Sequence, residues 1–480
     1  MKDLTKGNPF KLILLFALPV LCGNVFQQLY NMVDTIIVGN TVNADALTGV
    51  GLTGPVSFLI IGFVGGLTAG FGVRVAQRYG AQDEDGVRRA IAMSFMLGII
   101  ITVVLTAIAV PLTAPLLRLM QTPEQYFGYA YNYLFVIFCG IGASVLYNMI
   151  AGVLRAVGDT KTPLFFLIVA ACLNVALDFA FILGAKMHYC GAALATVLSQ
   201  LLSGTACFIY MWKRYPALRL KKKDFAWDWR LAGGHIAVGL PMALQFSITA
   251  IGCIVQQTAL NGLNAVAPGV VTAYAASSKI DNLANQTFQA LGTASATYAG
   301  QNSGAKRYDR IRKGTLVSMV YVLAGWAIGV AFCMGLYSPL MKLFVNPAKG
   351  GDAAIYFDDI MRYGRQYLLF QSGCYLFLGT ILVYRNALQG MGYSLVTMLS
   401  GVTELGARCL TAFVFVKLWG FTGACLSNPV AWVSADVFLL VTYFIVMHKK
   451  RVRQKREEDE AKAEAIPVKA ESEPCVQNAK

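Results

Sequence analysis

The sequence predicts an all-α integral membrane protein: twelve transmembrane helices in two six-helix lobes, related by a pseudo-two-fold axis along the membrane normal. Three observations predict it. The 480 residues are 56% hydrophobic and only 14% charged, where a soluble domain carries about 25% charged residues. The apolar residues gather into twelve windows, each of about 20 residues, the length that crosses a bilayer. Finally, AQRYGAQDEDGVRRA (Ala76–Ala90) returns 224 residues later as GQNSGAKRYDRIRKG (Gly300–Gly314).

The windows fall near 12–38, 50–73, 90–111, 127–153, 163–184 and 191–212, then 234–260, 270–298, 314–337, 364–388, 393–418 and 423–447. The first is too long for a cleavable leader and has no cleavage site, so a retained first span is expected. Charge sets the orientation. Arg74, Arg78, Arg88 and Arg89 surround the turn after span 2, Lys221, Lys222 and Lys223 follow span 6, and Arg307, Arg310 and Arg312 follow span 8. The alternate loops carry few or no basic residues. This positive-inside pattern predicts a multi-pass protein of the plasma (cytoplasmic) membrane with both termini in the cytoplasm. The net charge of +15 is therefore a topology signal, and no nucleic-acid partner is expected.

The repeat reads as two homologous halves. Gln77/Gln301, Gly80/Gly304 and Arg88/Arg312 are identical, Pro19 matches Pro241, and Leu154–Gly158 matches Leu388–Gly392. A period this long is no solenoid. Six spans per half return the chain to its starting side, and such a duplication in a membrane protein points to a transporter with its site between the halves. The expected boundaries are 1–212 for the N-terminal lobe, 213–230 for a cytoplasmic linker, 231–448 for the C-terminal lobe and 449–480 for a basic, mixed-charge tail, disordered or a frayed helix. Gly62–Gly72 is glycine-rich and suits close helix packing. Pro19 and Pro241 each remove a backbone hydrogen bond and suggest matching kinks, as hinges or as fixed bends.

The eleven cysteines show no ligand spacing and read as small apolar residues. His188, His235 and His448 have no metal-ligand partner nearby in sequence. There is no HExxH, GxSxG or Asp-rich prenyl-diphosphate motif, so no enzyme and no cofactor is expected.

Ionisable groups within a span cost roughly 2.5–3.5 kcal/mol on insertion scales, so each needs a reason. Gln27, Asn31 and Asp34 share one face of span 1, Asn174 and Asp178 lie one turn apart on span 5, and Thr196 is on span 6. By depth, Asp34, Asp178 and Thr196 occupy the outer layer of one half. Two carboxylates, an amide oxygen and a hydroxyl make either a hard-oxygen cage for Na⁺, at Asp34, Asn174 and Asp178, or a proton site. The plain alternative is an interfacial Asp34 and an Asp178 paired with a distant lysine. The second half does not repeat the set: Gln256 stands near the place of Asp34, and Ala412 at that of Asp178. Glu404 and Arg408, one turn apart on span 11, are expected to neutralise each other. Lys279 on span 8 is expected to meet a carboxylate or face a wet cavity. Gln27, Asn31, Gln256, Lys279 and Asp281 are the candidate lining of a substrate cavity.

At these residues the chain resembles the multidrug and toxic compound extrusion (MATE) family. The resemblance covers all twelve spans. It rests on Leu18–Pro19 and Asp34 of span 1, the paired loops after spans 2 and 8, LRAVGDTKTP (Leu154–Pro163), the N-x-x-x-D of span 5 and GAALAT (Gly191–Thr196). It implies an outward-facing V of two lobes that exports small amphipathic, often cationic organic compounds as inward H⁺ or Na⁺ drives it, with Asp34, Asn174, Asp178 and Thr196 as the cation site. The acidic cluster that some members carry on spans 7 and 10 is absent; Gln256, Gln257 and Tyr375 stand there. A monomer in the bilayer is expected. A carrier of the major facilitator type fits less well, because RYGAQDEDGVRR lacks the Asp-Arg-x-Gly-Arg pattern. A flippase for lipids or lipid-linked oligosaccharides on a related fold is the remaining alternative.

Overall fold

The computed structural model describes residues 2–41, 49–120, 122–185, 187–263, 267–345 and 355–464, with the side chains of 31–41, 183, 188, 189, 455 and 457–464 outside the described set. The first half runs α1 (Pro9–Thr41), α2 (Gly54–Gly80), α3 (Glu84–Leu119), α4 (Glu124–Cys139), α5 (Ile141–Ala156), α6 (Lys161–Asp178) and α7 (His188–Arg214). The second runs α8 (Trp229–Leu263), α9 (Val270–Gly304), α10 (Tyr308–Gly335), α11 (Tyr337–Phe344), α12 (Phe357–Gly373), α13 (Tyr375–Gly390), α14 (Ser394–Leu410), two short helices Val416–Trp419 and Phe421–Cys425, and α15 (Ser427–Glu464). The last helix carries the basic run on to Glu464, where the sequence suggested disorder or a frayed helix.

Among the described residues nine helices are long and apolar enough to cross a bilayer, and the bent pairs α4/α5 and α12/α13 bring the number to eleven. The span outside that apolar set is α9. It is 35 residues long, but Lys279, Asp281, Asn282, Asn285, Gln286 and Gln289 interrupt its apolar run. Most of these polar groups face a cavity in place of lipid. Neither Pro19 nor Pro241 ends its helix.

The duplication is written into the backbone. Gln82 and Lys306 take the same left-handed conformation, φ 58° and 54°, in the turns after α2 and α9. Gly158 and Gly392 do so at 82° and 92°, a conformation that glycine adopts at little steric cost. The α4/α5 and α12/α13 bends are 49° and 45°. A π-helical turn follows both α6 (Phe179–Gly184) and α14 (Thr411–Phe415).

The halves meet on the face that carries the N-terminus and the basic turns. There Gly80 lies against the Gln301 carbonyl and Gly304 against the Gln77 carbonyl; a Cβ on either glycine would overlap that oxygen. Higher up, Gly70 lies against Gly239, and Gly66 leaves room for the Met242 carbonyl. Arg74 Nε donates to the Gly234 carbonyl at 2.8 Å, and Gln77 Nε2 to that of Gly390 at 2.9 Å. Small residues permit this backbone contact, which association within lipid requires.

Helix α1 joins both halves. Leu4, Leu12, Ile13 and Phe16 are buried in the apolar core of the second half, while Gly23 packs on Leu164 and Leu167 of α6 in the first. The segment before α1 is tied down at both sides. Lys2 N donates to the Val157 carbonyl at 2.9 Å, and Arg307 Nη1 to the Thr5 carbonyl at 2.9 Å. The 213–230 connection packs beneath α3, where buried Asp224 lies 3.9 Å from Arg88 Nε.

Candidate functional site

In the first half, α6 and α7 bring Asn174 and Thr196 together. Asn174 Nδ2 donates to Thr196 Oγ1 at 3.3 Å, and that hydroxyl donates to the Ala192 carbonyl at 3.0 Å. Asn174 and Asp178 are both fully buried, one turn apart on α6. Asn174 Oδ1 has no hydrogen-bond partner among the described residues. An uncoordinated amide oxygen this deep costs about 1–3 kcal/mol, unless a cation, proton donor or water meets it. Asp34 and Asn31 lie on α1, but their side chains are outside the described residues. Among the described residues no cluster of three His, Cys, Asp or Glu side chains is placed to hold a metal. Beside this group a cavity of about 220 Å³ is lined by Gln27, Tyr30, Asn148 and Gln200. Gln27 thus faces a pocket within the first half.

The large cavity, about 830 Å³, belongs mainly to the second half. It extends from Thr293 and Gln389 toward Gln257 and Tyr274, away from the face where the halves close. Gln256 and Asp281 line it, as expected. Asp281 accepts from the Tyr375 hydroxyl at 2.7 Å and from Asn285 Nδ2 at 3.2 Å, so spans 8 and 10 share a buried acid. Lys279 does not line the cavity. Two residues from Asp281, it emerges on another side of α9, exposed, with its ammonium 5.4 Å from the Phe344 ring centre.

The expected Glu404–Arg408 pair is also corrected. Glu404 is bound by Arg385 of α13, both nearly buried. With its amide oxygen turned toward Arg385, Gln245 accepts from Nε at 3.2 Å and Nη1 at 3.0 Å. Asp436 of α15, 4% exposed, lies within electrostatic reach of the same guanidinium. A carboxylate across the bundle reached Arg385 where the helix neighbour Arg408 had no comparable approach. Arg385 and Asp436 were absent from the sequence reading. The signal was present, since each is an ionisable residue inside an apolar span.

Comparison with known proteins agrees with this layout. The MatE family profile matches residues 19–180 and 241–414, once in each half. Probable multidrug resistance protein YoeA of Bacillus subtilis is 26% identical over 463 residues, covering 93% of this chain and 96% of that protein. Probable multidrug resistance protein NorM of Thermotoga maritima is 26% identical over 460 residues, covering 93% and 95%. Among solved structures, an outward-facing multidrug resistance MATE family transporter of the MOP superfamily superposes with a TM-score of 0.84 at 23% identity, covering 93% of this chain and 98% of that one.

Proposed function

The chain belongs to the MatE family, and from that premise we propose that it is a secondary active efflux antiporter, exporting amphipathic, often cationic organic compounds in exchange for H⁺ or Na⁺. The positive-inside rule puts the basic face, with both termini, in the cytoplasm of a plasma-membrane protein. The closed contact on that face and the cavity beyond it correspond to an outward-facing state. Residues 1–212 and 231–448 are the two lobes, joined by 213–230, and the unit is a monomer.

The observation that carries the reading is the buried Asn174–Thr196 pair with Asp178 one turn away. With Asp34 it supplies the oxygen set for the coupling ion. Binding H⁺ or Na⁺ there removes negative charge from a water-poor pocket and favours one packing of the lobe over the other. The ion shifts the equilibrium only through its different affinity for the two states. One charge crossing 100 mV supplies about 2.3 kcal/mol, enough to bias two states that differ by a few kcal/mol.

The test is ethidium transport in proteoliposomes under a pH gradient alone, then a Na⁺ gradient alone. One gradient drives transport in the parent protein and drives none in Asp178→Asn. Equal transport by Asp178→Asn, or transport under neither gradient, overturns the assignment.

A further inference from the structure

Arg408 is a buried cation whose natural partner is taken. It is 6% exposed and lines the large cavity. Glu404, one turn before it, is engaged by Arg385. Among the described residues no carboxylate lies within salt-bridge distance of Arg408. Among those residues its Nη1 meets only the Cys253 sulfur, at 3.2 Å, and its Nε has no hydrogen-bond partner. Gly252 makes room for the side chain: a Cβ there would stand 2.9 Å from Arg408 Cδ. Tyr274 lies within electrostatic reach of both Arg408 and Asp281.

An unpaired guanidinium within a membrane span is expensive and marks function more often than packing. The other charges of the cavity are already answered. Asp281 receives two hydrogen bonds, and Glu404 and Arg385 answer each other. The charge left to offer a ligand is positive. At the basic end a smaller cavity of about 260 Å³ shares Asn24, Met242 and Asn386 with the large one and adds Arg155 to its lining.

We propose that Arg408 anchors an anionic group, a carboxylate, sulfonate or phosphate, on compounds that enter the large cavity. The ligand class of this site then includes anionic and zwitterionic amphiphiles as well as cations. Guanidinium meets such groups through two parallel hydrogen bonds, and the planar fork makes arginine the better choice than lysine for them. The proposal rests on the efflux reading given above and assigns one pole of its substrate site.

The probes are carboxyfluorescein, an anion, and ethidium, a cation, followed by fluorescence anisotropy with the full-length protein in phosphatidylcholine nanodiscs. Arg408→Gln is expected to weaken carboxyfluorescein binding by roughly tenfold or more, the worth of one charged hydrogen bond, and to leave ethidium within about twofold. Arg408→Lys, which keeps the charge, retains part of the carboxyfluorescein affinity. A repeat with phosphatidylglycerol present separates two sources of the anion. Displacement of the probe shows a lipid headgroup at Arg408, and no displacement shows a soluble ligand; either supports the anchor. Carboxyfluorescein affinity unchanged in Arg408→Gln, equal weakening of both probes, or no binding of carboxyfluorescein to the parent protein overturns it. Ethidium transport, measured separately, then still reports on the antiport reading.

Discussion

Gln301 ties two separate stretches of the first half, the N-terminal segment at Leu4 and the end of α5 at Ala156, to the second half. Its Oε1 accepts from the Leu4 backbone N–H at 2.8 Å, and its Nε2 donates to the Ala156 carbonyl at 2.8 Å. Asn302 and Arg310 hold the Leu4 carbonyl as well. One side chain of α9 therefore pins the N-terminal segment and the turn after α5 at the closed face.

Gln301→Ala leaves a buried N–H and a buried C=O without that partner, at about 1–3 kcal/mol each. Amide hydrogen exchange measured by mass spectrometry is expected to quicken over residues 2–7 and 153–158. Unchanged exchange in both segments would show that neighbouring groups carry the closure.

The crossing of α2 and α9 admits no Cβ. Gly80→Ala and Gly304→Ala each force the backbones apart and are expected to destabilise the protein by about 1–3 kcal/mol. Gly65→Ala, whose Cβ would meet nothing within 4 Å, serves as the control and stays within about 0.5 kcal/mol. Thermal unfolding in detergent ranks the three variants.

Arg385 and Glu404 form a buried pair. Glu404→Leu strands the guanidinium and costs about 3–5 kcal/mol. Arg385→Met with Glu404→Leu recovers most of that loss, because both charges are then gone. Melting temperatures of the two single variants and the double variant close the cycle, and simple additivity would refute the pairing.

Thr196→Val removes the hydroxyl that Asn174 Nδ2 contacts, with little change of shape. Ion-driven ethidium transport is expected to fall severalfold, while melting drops by no more than about 1–2 kcal/mol equivalent. A loss of stability without a loss of coupling would make Thr196 a packing residue.

Lys279→Ala tests the corrected wall of the large cavity. The ammonium sits over Phe344, outside the lining, so the KM for ethidium transport is expected to stay within about twofold, since an exposed cation–π contact is worth only about 0.5–1 kcal/mol.

Much of the fold was legible because lipid enforces it: apolar windows of fixed length and basic loops leave little choice of topology. The repeat at Gln77/Gln301 and Gly80/Gly304 carries the duplication in the sequence itself. Contacts across the bundle were not legible. Helical spacing suggested Glu404 with Arg408, whereas the fold supplied Arg385 from another helix. Spacing also separated Lys279 from Asp281 correctly, yet gave no sign that Phe344 would receive the lysine. The anchoring of Leu4 carries no local pattern, since its partner lies 297 residues away.

The contact of Gly80 with Gln301 has a mirror in that of Gly304 with Gln77, and each residue is the repeat counterpart of the other's partner. That reciprocity is the hallmark of an isologous, two-fold interface between identical subunits. One glutamine and one glycine per half therefore specify both contacts of this seam. The interior departs from that symmetry: Asp178 is buried on span 5 and Ala412 holds the matching place on span 11, while Arg385 and Arg408 are buried on spans 10 and 11.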